Sequence, residues 1–187
     1  MKRKIGMRKL VVSEFVTLDG VAEEPGKWSF PFWNEEIGKF KLDELFLSDA
    51  LLLGRVTYQG FAKAWPSMTD EAGYGKRMNG FPKHVVSRTL EKLDWNNSHL
   101  IKGNIEKEVS KLKQQPGQDL LVFGSGQLVN ALMQHDLIDE YRLLVYPIVL
   151  GCGKRLFSDA NKANLKLVET KTFGSGVVLL RYQPNRN

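Results

Sequence analysis

The stretch Asp119-Leu120-Leu121-Val122-Phe123-Gly124-Ser125-Gly126-Gln127-Leu128 decides how this chain folds. Its apolar run from Leu120 to Gly124 predicts a short strand that is buried on both faces, as in the middle of a parallel sheet. The apolar residues after Gly126 recur at helical spacing, so a helix begins as soon as the strand has ended. The first N–H groups of a helix have no partner within it and lie at the positive end of its dipole. The stretch therefore predicts an anion site that suits a pyrophosphate.

The glycine turn also has a plainer interpretation, because a glycine-rich passage from strand to helix can serve tight packing alone. It differs from the common dinucleotide pattern G-x-G-x-x-G, which would need glycine at Val129. That pattern also normally lies in the first strand–helix unit of a domain, not two-thirds along the chain. A nucleotide site is therefore predicted only if other parts of the chain supply matching groups.

Composition indicates an ordinary globular protein. The chain has 187 residues, of which 42% are hydrophobic and 26% charged, so we expect a basic tail over residues 1–7 and a single domain over residues 8–187. No apolar run approaches the roughly 18 residues that a membrane helix needs, so no membrane partner is expected. A single cysteine, Cys152, excludes an internal disulfide and favours a cytoplasmic location. We expect its thiol to be packed rather than nucleophilic.

The net charge of +6 is compatible with a nucleic-acid surface or with a pocket for an anionic small molecule. Lys and Arg are scattered outside the N-terminal tail, and no nucleic-acid-binding motif is present, so we expect no nucleic-acid partner. The three histidines, His84, His99 and His135, do not share the spacing of metal ligands. No metal site is predicted.

Alternation of strands and helices predicts an α/β fold with a mixed, mainly parallel sheet and helices on both faces. Strands are predicted at 9–16, 50–53, 83–87, 99–101, 120–124 and 140–146, and helices at 34–46, 55–62, 104–115 and 126–135. Two further strands, at 165–173 and 177–182, surround Gly174-Ser175-Gly176 and predict a C-terminal antiparallel hairpin. The polar segment 67–82 is predicted to be a long mobile loop.

Two other strand ends resemble the glycine turn in their chemistry. The second strand ends in Gly54-Arg55-Val56-Thr57, and the third ends in Ser87-Arg88. All carboxyl ends of parallel strands meet at one edge of a sheet, and Arg suits a phosphate because it forms paired hydrogen bonds. We therefore predict a pyrophosphate at the helix starts and a 2′-phosphate near Ser87 and Arg88. The alternative is that Arg55 and Arg88 are surface ion-pair residues.

A family resemblance rests on these segments. Leu53-Gly54-Arg55-Val56-Thr57-Tyr58, Val86-Ser87-Arg88 and Val122-Phe123-Gly124-Ser125-Gly126-Gln127, in this order, resemble the dihydrofolate reductase superfamily. Thr17-Leu18-Asp19-Gly20 is similar to the reductase domain of the bacterial bifunctional riboflavin-biosynthesis deaminase-reductase. The resemblance covers roughly residues 8–183. It implies a dihydrofolate reductase-like three-layer α/β/α fold, NADPH as the hydride donor and a homodimer.

The resemblance also implies which residues contact the cofactor. They are Gly54, Arg55, Thr57, Ser87, Arg88, Lys102, Phe123, Gly124, Ser125, Gly126 and Gln127. For a folate substrate it implies a carboxylate on the first helix that holds the ring, and Glu36 or Glu35 lies near that place. First-turn glutamates also suit a helix dipole without any further role.

Two more predictions concern the substrate. The aromatic loop 21–33 is predicted to wall a flat-ring pocket through Trp28 and Trp33, or alternatively to cover the edge of the core. Asp19 is predicted to polarise or protonate the substrate if burial raises its pKa. The alternative for Asp19 is a turn-forming residue before glycine.

The sequence departs from the riboflavin reductases at Val21, where they usually have a basic residue. One cysteine also excludes the deaminase signature with its paired cysteines. The predicted function is an NADPH-dependent reductase of a small heterocyclic substrate, most like 5-amino-6-(5-phosphoribosylamino)uracil reductase or a dihydrofolate reductase-like enzyme. The alternative is a protein that binds NADPH or another nucleotide without turnover.

Overall fold

The computed structural model describes residues 7–157 and 162–186, so the predicted tail 1–7 lies outside the described residues except for Met7. The strands are β1 Leu10–Thr17, β2 Ser48–Gly54, β3 Lys83–Val86, β4 Ser98–Ile101, β5 Asp119–Val122, β6 Glu140–Tyr146, β7 Leu165–Thr172 and β8 Val178–Pro184. They form one sheet in the order β4-β3-β2-β5-β1-β6-β8-β7. The strands from β4 to β6 in this order are parallel, and β8 and β7 are antiparallel.

Helices cover both faces of the sheet. They are α1 Glu35–Phe46, α2 Arg55–Ala64, α3 Tyr74–Gly80, α4 Ile105–Gln114 and α5 Gly126–Gln134, with short 3-10 turns at Pro25–Lys27, Phe30–Phe32 and Trp65–Ser67. One apolar cluster lies between the sheet and α1–α3, and another lies between the sheet and α4–α5. The predicted α/β fold with a mainly parallel sheet and a C-terminal antiparallel hairpin is confirmed. Within the described ranges, no helix combines the length and the apolarity that a membrane crossing requires.

The central strands explain why the decisive stretch has no polar alternation. In β2, Leu51 and Leu53 pack toward α1–α3, whereas Leu52 packs toward α4–α5, and all three are fully buried. In β5 the same division separates Leu121 from Leu120. A strand that is covered on both faces is apolar at nearly every position, so its sequence shows no alternation of apolar and polar residues.

The prediction of a long mobile loop at 67–82 is wrong, because this segment contains α3. Asp70 accepts hydrogen bonds from the N–H groups of Tyr74 and Gly75 at 2.8 and 2.6 Å, which begins the helix. Met78 is fully buried against the core. A helix of seven residues is too short to show a helical period in the sequence, and its glycines hid it further.

The approach of β2 to the glycine turn can be tested by substitution. Gly54→Ala is expected to lower the free energy of unfolding by about 1–3 kcal/mol, as overpacking usually does. The added Cβ would lie 2.6 Å from Ser125 Oγ and 3.0 Å from the backbone nitrogen of Ser125, and a backbone atom cannot simply rotate away. The φ of Gly54 is −76°, which any residue adopts, so the loss reports the steric contact alone.

The matched control is Gly60→Ala within α2, where nothing lies within 4 Å of the added Cβ. This variant is expected to gain about 0.5–1 kcal/mol, because alanine favours the helix more than glycine does. Urea unfolding of both proteins measures the difference. Equal stabilities of the two variants would contradict the close approach.

Candidate functional site

Two glycine turns from distant parts of the chain touch at the carboxyl edge of the sheet. The N–H of Gly54 donates to the carbonyl of Gly124 at 3.0 Å. Gly124 has φ +87°, and a Cβ there would lie 2.9 Å from Thr57 Oγ1. The peptide bond between Gly124 and Ser125 is cis. We call the space bounded by Gly54, Thr57, Gly124 and Ser125 the glycine crevice.

The two helices that start at the glycine crevice have no side-chain cap. Asn34 caps α1 and Asn104 caps α4, each through a hydrogen bond from a backbone N–H at 3.0 or 2.8 Å. Asp70 does the same for α3. In contrast, no side chain caps α2 at Gly54 or α5 at Ser125. The crevice therefore has two adjacent sets of unpaired N–H groups and two positive dipole ends, which suit an anion.

Basic side chains follow the neighbouring strand ends. Arg55 begins α2, Arg88 follows β3, and Lys102 follows β4. All three are exposed, and none forms an ion pair or a side-chain hydrogen bond with another described residue. The predicted alternative, in which Arg55 and Arg88 serve surface ion pairs, is therefore not what the described residues show. The Ser87 hydroxyl accepts hydrogen bonds from the N–H groups of Thr89 and Leu90 at 3.2 and 3.0 Å. These bonds order the turn that carries Arg88.

The strand order places these groups along one line. From β3 through β2 and β5 to β1 there are three strand spacings, or about 14 Å at ~4.8 Å each. The residues predicted to contact the cofactor all lie at or just beyond the carboxyl ends of β2, β3, β4 and β5; they are Gly54, Arg55, Thr57, Ser87, Arg88, Lys102, Phe123, Gly124, Ser125, Gly126 and Gln127. The arrangement offers phosphate-binding groups at several points along one edge.

Asp19 does not have the protonation behaviour that was predicted for it. Its carboxylate accepts hydrogen bonds from Thr17 Oγ1 at 2.6 Å and from the N–H groups of Gly151 and Leu150 at 2.9 and 3.3 Å. These donors, first the Thr17 hydroxyl, lower the pKa of Asp19 to about 2. The condition set for a proton-donating Asp19, a pKa raised by burial, is not met, because the carboxylate is near the surface and is surrounded by donors. Asp19 ties the turn after β1 to the loop after β6.

Glu36 engages the C-terminal hairpin. Its Oε2 accepts from the N–H of Gly174 at 2.7 Å and from Asn34 Nδ2 at 3.4 Å. The side chain is exposed, as is that of Glu35. The structure thus gives Glu36 a contact that joins the first turn of α1 to the turn between β7 and β8.

The aromatic loop 21–33 contributes to the core as well as to the surface. Trp28 is 6% exposed, its Nε1 donates to the carbonyl of Glu23 at 2.9 Å, and its ring meets Tyr146 edge-on at 5.3 Å. Trp33 is 45% exposed and lies 6.3 Å from Phe15 between ring centroids. Of the two predicted substrate contacts, the Trp33 ring is exposed at the surface, whereas the Trp28 ring is buried in the core under the loop.

Glu14 is a functional candidate that the sequence analysis missed. It lies in β1, and its Oε1 is 3.5 Å from the position of a Cβ built on Gly124. The side chain as a whole is half-buried, but Oε1 is shielded from solvent and has no hydrogen-bond partner. Burial raises the pKa of Glu14 to about 8, against the opposing effects of the Lys41 charge and the N–H of Gly124. This carboxyl therefore retains a proton to higher pH than an ordinary glutamate does.

A signal for Glu14 was present in the sequence. Leu10, Val12 and Val16 occupy alternate positions of β1 and belong to the core cluster under α4 and α5. Glu14 occupies the remaining position in that register, where an apolar residue is expected. A carboxylate in an otherwise buried register indicates either an ion pair or a functional site.

Lys41 is a second group that was not predicted. Its Nζ donates to Glu44 Oε2 at 2.6 Å and to Ser13 Oγ at 2.8 Å, and it lies 4.3 Å from the centre of the Phe123 ring. Burial lowers the pKa of Lys41, while the Glu44 charge opposes this change. The Lys41 ammonium therefore anchors Phe123, at the end of β5, from the α1 side of the sheet.

The loop after β6 corrects the prediction for Cys152. The thiol was expected to be packed, but Cys152 is exposed. It lines a shallow pocket of about 140 Å³ together with Asp19, Val21, Gly151, Gly153 and Arg155. Glycines on both sides of Cys152, at φ +70° and +109°, turn the chain outward there. Among the described residues, no group of three His, Cys, Asp or Glu side chains is placed to hold a metal ion.

With this geometry in place, comparison with known proteins decides the family. The sequence profile of the RibD C-terminal domain matches residues 8–179. The chain belongs to the RibD C-terminal domain family. The predicted family relationship is thus confirmed, and the family indicates that the domain is a reductase.

Relatives of this RibD C-terminal domain agree in extent and fold. It is 35% identical over 190 residues to YyaP of Bacillus subtilis (strain 168), covering 99% of this chain and 100% of YyaP. A riboflavin-biosynthesis-type protein from Shewanella sp. PV-4 has a TM-score of 0.76 at 20% identity, covering 95% of this chain and 99% of that one. Dihydrofolate reductase from Enterococcus faecalis has a TM-score of 0.64 at 13% identity, covering 97% of this chain and 99% of that one. The dihydrofolate reductase-like fold is confirmed.

The proton on Glu14 should be visible in the stability of the protein. The folded protein holds this proton up to about pH 8, whereas an ordinary glutamate releases it near 4.5. Folding therefore binds a proton between these values, and the stability of the wild type falls as the pH rises through this window. The Gln side chain of Glu14→Gln does not titrate. The free energy of unfolding of this variant should therefore increase relative to that of the wild type as the pH rises from about 4.5 to about 8.

Urea unfolding across this pH range measures the difference. Glu71→Gln, which changes an exposed glutamate in the segment before α3, is the control and should follow the wild type at every pH. A difference between Glu14→Gln and wild type that stays constant with pH would show that Glu14 is ionised in the folded protein.

Proposed function

We propose that this RibD C-terminal domain is an NADPH-dependent reductase of a small, flat heterocyclic substrate. The observation that carries the proposal is the meeting of two uncapped helix N-termini at the glycine crevice. Arg55 lies at the start of one of these helices, and Ser87 and Arg88 follow the next strand. This combination suits a pyrophosphate at the crevice and a 2′-phosphate near Arg88, because helix N-termini and guanidinium groups both favour phosphate oxygens.

The residues present fit such a cofactor. Glycine at positions 54 and 124 lets the two turns approach, because a Cβ at either would lie under 3.0 Å from a neighbouring protein atom, and the unpaired N–H groups of α2 and α5 supply donors at this meeting point. Thr57 and Ser125 add hydroxyls at the same place. Dihydrofolate reductase from Enterococcus faecalis, which shares the fold, was solved with NADP(H). When bound, NADPH supplies the hydride, and the protein's task is to orient the ring and exclude water.

The substrate would lie on the β1 side of the crevice. Trp33 and Phe15 offer aromatic surface there for a flat ring. Val21, which replaces the usual basic residue of riboflavin reductases, is buried and pairs with Arg155 across a β-bridge. Arg155 thus brings a positive charge beside the position where the family usually has one. We therefore keep a phosphoribosylated aminouracil as the first candidate substrate and a dihydropterin as the second.

The test of function is NADPH consumption. Purified protein is mixed with NADPH and either 5-amino-6-(5-phosphoribosylamino)uracil or dihydrofolate, and the loss of the reduced nicotinamide absorbance is followed. Oxidation that depends on the substrate supports a reductase. Tight binding of NADPH without oxidation by any flat heterocycle would favour the alternative, a protein that binds the nucleotide without turnover.

The second arm of this test concerns the cofactor phosphate. Arg88→Ala is expected to weaken NADPH binding by roughly tenfold to a hundredfold, the usual range for one charged hydrogen-bonded contact. NADH lacks the 2′-phosphate and should lose little affinity. Lys111→Ala, in the last turn of α4 and therefore at the helix end away from Lys102, removes one exposed charge and is the control. Equal losses of NADPH and NADH affinity in Arg88→Ala would contradict the placement of the 2′-phosphate.

The proposal includes a homodimer in the cytoplasm. The edge strand β7 is exposed along most of its length, and Leu167 and Val168 are 49% and 46% exposed. An uncovered, partly apolar edge strand suits pairing with a second copy. We expect a dimer in sedimentation velocity, and Val168→Lys should shift it to monomer, whereas Val56→Lys on α2 should not. A wild-type monomer at every concentration would contradict the dimer.

A further inference from the structure

The Glu14 carboxyl differs from the other buried glutamates of the described chain. Glu44 and Glu140 are each 1% exposed, and both are held in ion pairs. Their partners are Lys41, Arg142, Arg181 and Lys9. Glu14 has no such partner, and its Oε1 is buried without any hydrogen bond. A buried polar atom without a partner costs stability, so its retention needs an explanation.

The position of Glu14 along the sheet edge indicates what its missing partner is. The groups that the proposed function assigns to the cofactor phosphates extend from β4 to β5, and Glu14 lies in β1, the next strand beyond β5. An extended dinucleotide whose phosphates lie at the crevice and near Arg88 has only one end left to place, the nicotinamide end. Under the proposed function that end would lie toward β1, where Glu14 Oε1 is 3.5 Å from the position of a Cβ built on Gly124.

Few charged groups surround Glu14. Lys41 is the charged group that acts on it, from α1 across the sheet, and Glu44 and Ser13 already hold that ammonium. On the opposite face, α5 carries no charged residue. Thr57 of α2 and the neighbouring Leu143 of β6 are neutral. Among these neighbours, no cation is free to form an ion pair with Glu14.

Resting on the proposed function, we propose that Glu14 is the proton-holding catalytic residue, and that the charge of the bound nicotinamide decides whether its carboxyl keeps a proton. Beside a neutral, reduced ring the carboxyl stays protonated. The positive charge of an oxidised ring favours the carboxylate, as an opposite charge at a few ångströms does. Reduction of a C=N bond adds a hydride to carbon and a proton to nitrogen. Glu14 supplies that proton, becomes a carboxylate, and regains a proton from water after the oxidised cofactor leaves.

The proposal predicts a proton balance that needs no turnover. Isothermal titration calorimetry of the wild type, in two buffers of different ionisation enthalpy near neutral pH, measures the protons released on binding. NADP⁺ is expected to release roughly half to one proton per molecule bound, since an opposite charge lowers a carboxyl pKa by about 1–3 units. NADPH is expected to release none. The affinity for NADP⁺ should rise with pH, by at most about tenfold per pH unit, and then level off.

A matched pair of variants assigns the proton. Glu14→Gln should bind both cofactors and release no proton, and its affinity for NADP⁺ should not change with pH. Glu71→Gln should behave as the wild type. Proton release that persists in Glu14→Gln, or its absence in the wild type, overturns the role of Glu14.

The failure of the inference and that of the proposed function are distinguishable. If NADPH and NADP⁺ both bind the wild type but neither is linked to a proton, the cofactor site stands and Glu14 is not the proton-holding group. If the wild type binds neither cofactor, the proposed function falls and the inference with it. Should Glu14→Gln fail to fold, the pH series on the wild type decides alone.

Discussion

The contact between Gly54 and the Gly124–Ser125 turn is the constraint on which the candidate site depends. β2 and β5 are neighbours at the centre of the sheet, and each passes directly into a helix. α2 lies on one face of the sheet and α5 on the other. Helices on opposite faces of the sheet can bring their N-termini together only beyond the ends of the strands, here the carboxyl ends of β2 and β5. Glycine at both turns allows that approach, because a side chain at either position would collide with the other turn.

A second feature is that the buried ion pairs lie on the α1 side of β1, whereas Glu14 lies on its other side. Between α1 and the sheet, Lys41, Glu44 and Arg142 satisfy one another, so these charges fix the packing of α1 on β1 and β6. Such buried networks hold their geometry because breaking one member leaves the others unpaired. Glu14 lies on the opposite side of β1 and outside this network. The buried charges beside α1 are therefore paired, whereas the half-buried Glu14 carboxyl beside the glycine crevice has one oxygen, Oε1, without a hydrogen-bond partner.

The loops beyond the carboxyl edge are tied to each other rather than free. Asp19 accepts from Gly151 at 2.9 Å, and Leu156 donates to Gly20 at 3.0 Å. Glu23 accepts from the N–H of Lys154 at 3.2 Å. These bonds join the turn after β1 to the loop after β6, and they account for Asp19 as a positioning residue of the loops. They also place Arg155 opposite Val21 across a β-bridge.

Local patterns in the sequence were enough to predict the buried strands, the glycine turns, the arginines at strand ends and the family. Each of these depends on residues close together in the chain: a continuous apolar run, Gly next to a helical period, Arg after a strand. The short helix α3 escaped because seven residues cannot establish a period. The tertiary structure alone decided the raised pKa of Glu14, the lowered pKa of Asp19 and the burial of Trp28. Their environments come from partners far along the chain, as with Asp19 and Gly151, which are 132 positions apart. A side chain's pKa and exposure are properties of what surrounds it, and only the folded chain brings those surroundings together.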